Sequence, residues 1–79
     1  MSEYFVKKID LHGLSVSQAT AKVLNALFEF NEDSYLDFLD IMVGNGTGAL
    51  KLQVETLLEE EGYSFTYLNQ THSLIRVKK

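Results

Sequence analysis

The sequence predicts an α+β fold (an α/β sandwich): a mixed four-stranded sheet packed with two helices, in the order β-α-β-α-β-β. Three observations predict it. Short runs of aliphatic, β-branched and aromatic residues alternate with two stretches whose apolar residues recur every three or four positions. The chain has five glycines and no proline, and the glycines fall at the ends of these segments. The last two strand-like runs are separated by five residues, a length compatible with a hairpin. A chain of 79 residues has room for one domain, so residues 1–79 are read as a single unit.

Tyr4 to Leu11 reads as the first strand. Ser15-Val16-Ser17-Gln18 then matches a capping box, with Ser15 as N-cap and Gln18 reaching back to it. The helix it opens carries Val16, Ala19, Val23, Ala26, Leu27 and Phe30 as its inner stripe, and Asn31 to Ser34 end it. Tyr35 to Val43 holds the second strand in its later half. The nearly unbroken apolar run from Phe38 to Val43 suits an inner strand covered on both faces. Gly44 to Gly48 forms a loop, with Thr47 placed to cap the next helix. Leu50, Val54, Leu57 and Leu58 make that helix's inner stripe, and Gly62 fits the position just past its end. Tyr63 to Leu68 and Leu74 to Lys78 are the last two strands, joined through Asn69-Gln70-Thr71-His72-Ser73. The opening βαβ unit implies parallel strands with a right-handed crossover, and the final hairpin adds an antiparallel pair.

Composition narrows the function classes. Without cysteine, neither disulfides nor thiolate metal sites are available. No apolar run approaches the ~18 residues of a membrane span, and Met1-Ser2-Glu3-Tyr4 lacks the basic-then-apolar order of a secretory signal. The expectation is a soluble cytoplasmic protein with no membrane partner. A net charge of −4 counts against nucleic-acid binding by bulk charge. Lys7, Lys8, Arg76, Lys78 and Lys79, however, lie near the two chain ends, and they would form one patch if the first and last strands were neighbours. Otherwise they keep the protein soluble or guard sheet edges.

Two motifs carry chemistry. In an extended segment Asp10 and His12 point to one side, with Cα atoms ~7 Å apart from a rise of ~3.3 Å per residue. That gap suits two groups acting on one bound phosphate better than a direct Asp–His hydrogen bond. Gly13 marks the strand's end, where open α/β sheets gather reactive groups. Gly44-Asn45-Gly46-Thr47-Gly48 follows an apolar strand and opens a helix, so its amides could approach a phosphate closely. Taken alone, this loop is equally a tight strand-to-helix turn, and it matches neither the Walker nor the dinucleotide fingerprint. Asp10 could likewise cap a turn, and His12 could be a half-buried strand-end residue.

Together, Asp10-Leu11-His12-Gly13 and Gly44-Asn45-Gly46-Thr47-Gly48-Ala49-Leu50 resemble the two signatures of the Smr (small MutS-related) domain, and the order of elements agrees. The resemblance runs from about Lys7 to Val77. It implies a fold similar to the C-terminal domain of bacterial translation initiation factor three. It also implies work on DNA or RNA, in DNA repair or on stalled ribosomes, either alone or as the tail of a larger MutS-like protein. Asp10 and His12 fall on the family's catalytic pair. Gly44, Asn45, Gly46, Thr47 and Gly48 fall on its substrate-binding loop, and Lys51 keeps the basic residue after it. Family members usually carry His where this chain has Val43, often Lys or Arg at Asn45, and glycines where it has Thr71, His72 and Ser73. His72 could compensate only if its hairpin folds toward Asp10.

The expected activity is a structure-selective endonuclease. The loop amides and Lys51 would hold a phosphate, while an imidazole at position 12 passes protons near neutral pH. Asp10 would orient the attacking hydroxyl or water. RNA brings its own 2′-hydroxyl and needs no metal. For DNA water must attack, and magnesium on Asp10 is the aid the chemistry allows. No resident metal or other cofactor is expected, because one carboxylate and one imidazole make a poor site. The alternatives are a non-cleaving nucleic-acid or ribosome-binding module, or a protein-interaction module that has lost nucleic-acid binding.

Overall fold

Residues 4–44 and 48–79 are described in a computed structural model of the chain. The elements are β1 (Val6–Asp10), α1 (Val16–Glu32), β2 (Phe38–Met42), α2 (Gly48–Glu60), β3 (Ser64–Tyr67) and β4 (Leu74–Lys78). This is the expected β-α-β-α-β-β order. The strands form one mixed sheet in the order β1-β2-β4-β3, with β1 parallel to β2 and β4 antiparallel to both β2 and β3.

Local sequence explains the element ends. The Ser15 hydroxyl accepts from the Gln18 amide at 3.1 Å, and the Gln18 side chain accepts from the Ser15 amide at 3.0 Å, so the capping box starts α1. Asp33 closes it, its N–H donating to the Glu29 carbonyl at 3.0 Å. β1 is shorter at both ends than the apolar run suggests. Tyr4 and Phe5 are exposed, and beyond Asp10 the chain turns. A single ladder bond, Leu11 N–H to the Met42 carbonyl at 2.8 Å, continues past the strand.

Register separates the two sheet faces. Ile9, Ile41, Ile75 and Tyr67 lie in one row, and Lys7, Leu39, Val77 and Phe65 in the next. Both rows face the helices. Leu39, Ile41, Ile75 and Val77 are buried with Ala19, Val23, Ala26 and Phe30 of α1 and with Val54, Leu57 and Leu58 of α2. Both helices therefore cover one face and pack on each other. Val16, expected in the inner stripe, is instead 43% exposed at the first turn.

The other face carries Val6, Lys8 and Asp10, then Phe38, Asp40 and Met42, then Lys78, Arg76 and Leu74. No helix covers it, so β2 is an inner strand but is not covered on both faces. Its apolar run looked continuous because Phe38 and Met42 sit on the open side. There Tyr4 packs edge-on against Phe38, with ring centroids 5.2 Å apart, and the Arg76 guanidinium lies 4.5 Å from the Phe38 centroid. Asp40, between these residues, is buried. It accepts two hydrogen bonds from Arg76, at 2.9 and 3.0 Å.

Candidate nucleic-acid site at the strand ends

The topology brings the C-terminal ends of β1, β2 and β3 and the start of β4 to one edge of the sheet. The α2 N-terminus and the β3–β4 hairpin loop lie at the same edge. Residues far apart in sequence meet there because each strand stops at that edge.

Asp10 ends β1, and Gly13 at φ +76° turns the chain directly after His12. The Leu14 amide closes the turn on the Leu11 carbonyl at 3.1 Å. The extended geometry expected for Asp10 and His12 is therefore not what forms. The His12 amide donates to Asp10 Oδ1 at 3.0 Å, and His12 Nδ1 lies 2.9 Å from both Asp10 oxygens. The chain curls back on the Asp10 carboxylate, and the pair bonds directly. An ionised carboxylate only accepts, so Nδ1 carries the proton and Nε2 is left to exchange protons with a substrate. The His12 amide, and next its ring, hold the Asp10 carboxyl below the usual carboxylate range.

Gly44 begins the glycine loop against this pair. At φ +78° it has a conformation that L side chains rarely adopt, and a Cβ built there would stand 3.4 Å from His12 Cβ. The hairpin fixes this approach, because the Val43 amide donates to the Ser73 carbonyl at 2.8 Å. Val43 itself is buried in the core. Asn45, Gly46 and Thr47 lie outside the described residues. Gly48 opens α2, and Lys51 sits half-buried in its first turn.

Lys22 is a cation at the site that the sequence did not single out. From the exposed side of α1 its Nζ donates to the Asp10 carbonyl at 3.2 Å. Its only sequence signal is its place on the exposed face of the crossover helix that follows β1.

His72 does not join Asp10. It takes φ 56° at the hairpin tip and stacks on Tyr67, with centroids 4.4 Å apart, and the Tyr67 hydroxyl donates to Glu55 of α2. Asn69 holds the loop in this shape by accepting from the Ser73 and Leu74 amides at 3.0 and 3.3 Å. The five-cation patch does not form either, because β2 lies between β1 and β4. Lys7 pairs with Glu29 at 3.0 Å, Arg76 pairs with Asp40, and Lys79 donates to the Asp33 carbonyl at 2.6 Å.

Two hollows bear on the choice of site. One of about 570 Å³, at the opposite end of the sheet, is lined by Glu29, Glu32 and Asp33 against the single cation Lys7, an acidic balance that disfavours a phosphate. The other, of about 250 Å³, opens on the uncovered face beside Asp10. Among the described residues, no group of three or more His, Cys, Asp or Glu side chains is placed to hold a metal, and no helix is long and apolar enough to cross a membrane.

Comparison with known proteins agrees with this fold. The Smr domain pattern matches residues 9–73. Among solved structures, the Smr domain of Thermus thermophilus MutS2 is similar with a TM-score of 0.81 and 31% identity, over 91% of this chain and 95% of that one. The human small MutS-related domain aligns with a TM-score of 0.74 at 24% identity, over 91% and 99% of the two chains. The domain of NEDD4-binding protein 2 gives 0.73 at 20%, over 99% and 90%. These last two bear on the fold alone. Curated protein sequences gave no match.

Proposed function

The chain belongs to the Smr domain family, and on that premise we propose that it binds nucleic acid and cleaves phosphodiesters as a structure-selective endonuclease. One observation carries the reading: a histidine oriented by a carboxylate through Nδ1, with the start of a glycine loop so near that a Cβ there would stand 3.4 Å from the histidine Cβ.

The sequence and the described geometry support the following roles. Asp10 fixes the ring and its tautomer rather than orienting the attacking group, since both of its oxygens already face Nδ1. The amides of the 44–48 loop, with Lys51 and Lys22, bind and neutralise the phosphate. On RNA, Nε2 of His12 takes the proton of the 2′-hydroxyl as the 2′-oxygen bonds to phosphorus. The bond from phosphorus to the 5′-oxygen breaks, and that oxygen takes a proton from water. The products are a 2′,3′-cyclic phosphate and a 5′-hydroxyl. Magnesium does not fit this arrangement: the two oxygens of Asp10 are committed to His12, and no second carboxylate joins them among the described residues. Metal-free RNA cleavage is therefore the favoured chemistry.

The burial of Val43 favours a second reading, a module that binds nucleic acid or ribosomes without cutting, because the position where relatives carry an imidazole is filled by core packing here. Incubation with stem-loop RNA and supercoiled DNA, with and without magnesium, separates the two. The wild type should cut RNA without metal, and Asp10→Asn and His12→Ala should slow it ~10²-fold or more. A 2′-deoxy nucleotide at the scissile position should block cutting. Intact substrates after incubation with the wild type would refute the nuclease reading. Salt-dependent affinity would then leave the binding module standing, and its absence would favour a protein partner.

A further inference from the structure

The open face of the sheet holds a feature that phosphate binding does not use. Lys8, Asp40 and Arg76 stand in one row across β1, β2 and β4, and Asp10, Met42 and Leu74 stand in the next. Between them lies the cavity of about 250 Å³, lined by Lys8, Ile9, Asp10, Asp40, Met42 and Leu74. Its wall at one end is the same Asp10 that holds His12.

We infer that this cavity seats a single nucleobase, that of the nucleotide next to the phosphate held at His12. The inference rests on the function proposed above and adds a base subsite to it. Volume limits the occupant: the cavity is below the ~300–1,000 Å³ of pockets that take drug-sized ligands, so it fits one ring system and not two nucleotides. Its floor is apolar and partly exposed. Met42 is 44% exposed although it lies on an inner strand. A flexible thioether beside Leu74 gives a flat ring a polarisable surface to lie on. Its wall is polar in a way that suits a base edge. Asp40, nearly buried, lines this wall with its carboxylate held from one side by Arg76. Lys8, in register with Asp40, offers an N–H donor to a ring nitrogen or carbonyl. Lys78, farther along the same face, supplies a second cation for the strand that carries the base. A divalent cation is a poor occupant. Of the two carboxylates, Asp10 is bonded to His12 and Asp40 to Arg76, and Lys8 stands against any added positive charge.

The test uses short RNA and DNA oligomers of one sequence, each with 2-aminopurine or an abasic site placed at one position in turn. Binding is measured by fluorescence and anisotropy on His12→Ala, so that no strand is cut, and on the same protein carrying Met42→Ala. The fluorescence of 2-aminopurine should change strongly at one position only. An abasic site there should weaken binding ~10-fold. Met42→Ala should weaken binding of the intact strand by a similar factor and leave the abasic strand unaffected. Whichever of RNA and DNA shows this pattern identifies the strand the cavity takes. Equal loss on intact and abasic strands, or no position-specific effect in a protein that still binds, would overturn the base seat while the proposed function stands. Failure to bind either nucleic acid would overturn both.

Discussion

Replacing Arg76 by methionine strands a buried carboxylate, and the cost can be worked from the contacts. The Asp40 side chain is 5% exposed and that of Arg76 is 29% exposed. Breaking a buried pair by removing one partner costs about 3–5 kcal/mol. The partial exposure of Arg76 admits some water, which puts the expected loss near about 3 kcal/mol. Total stability for 79 residues is expected at about 4–12 kcal/mol, so the change is large. Each kcal/mol corresponds to about 4–8 °C in Tm. Urea denaturation at pH 7 followed by circular dichroism reads it directly. Adding Asp40→Leu to Arg76→Met should recover most of the loss. No recovery in the double variant would refute the account of a stranded charge.

Other expectations follow from single contacts. Gly44→Ala should cost about 1–2 kcal/mol from its left-handed backbone alone, read as a lower midpoint in thermal scans, since its Cβ would only reach ordinary contact with His12. Tyr67 binds Glu55 from a partly desolvated position, and burial, then that bond, push its phenol above the ordinary ~10. Its contribution is thus complete below pH ~10 and lost as pH rises beyond it. Stability measured from pH 8 to 11 should fall more steeply in the wild type than in Tyr67→Phe, and parallel curves would contradict this. The Asp10 carboxyl carbon, followed by NMR, should titrate below the usual ~4, and a midpoint at or above that value would mean the His12 contact is absent in solution.

What the sequence made legible was whatever local chemistry decides. The capping box at Ser15 and Gln18 needs only four residues to form, and the α1 stripe from Ala19 to Phe30 needs only helical periodicity. Asp10 and His12 could be named for the same reason, but their geometry could not. An i, i+2 separation presumes an extended chain, and the turn at Gly13 replaced that with a direct bond. Lys22 was invisible because its partner is a backbone carbonyl twelve residues away, and that pairing exists only after the crossover helix has packed. Asp40 was hidden in an apolar run, where its burial depends on an arginine 36 residues later on another strand.

Strand order also bears on how a chain of net charge −4 would attract phosphate under the proposed function. With β2 between β1 and β4, three of the five terminal cations are spent on Glu29, Asp40 and the Asp33 carbonyl. The ends of the chain therefore do not make one five-cation surface, although Lys8 and Lys78 remain on the open face. The positive potential left near His12 is local: Lys22 beside Asp10, Lys51 in the first turn of α2, and the helix N-terminus itself. Meanwhile Glu29, Glu32 and Asp33 sit at the far end of the sheet. This separation orients an approaching strand toward the histidine without holding it by bulk charge. Under the proposed function, a site built this way would recognise one phosphate and its neighbouring base, so selectivity would come from the shape of the nucleic acid at that point more than from the length of strand bound.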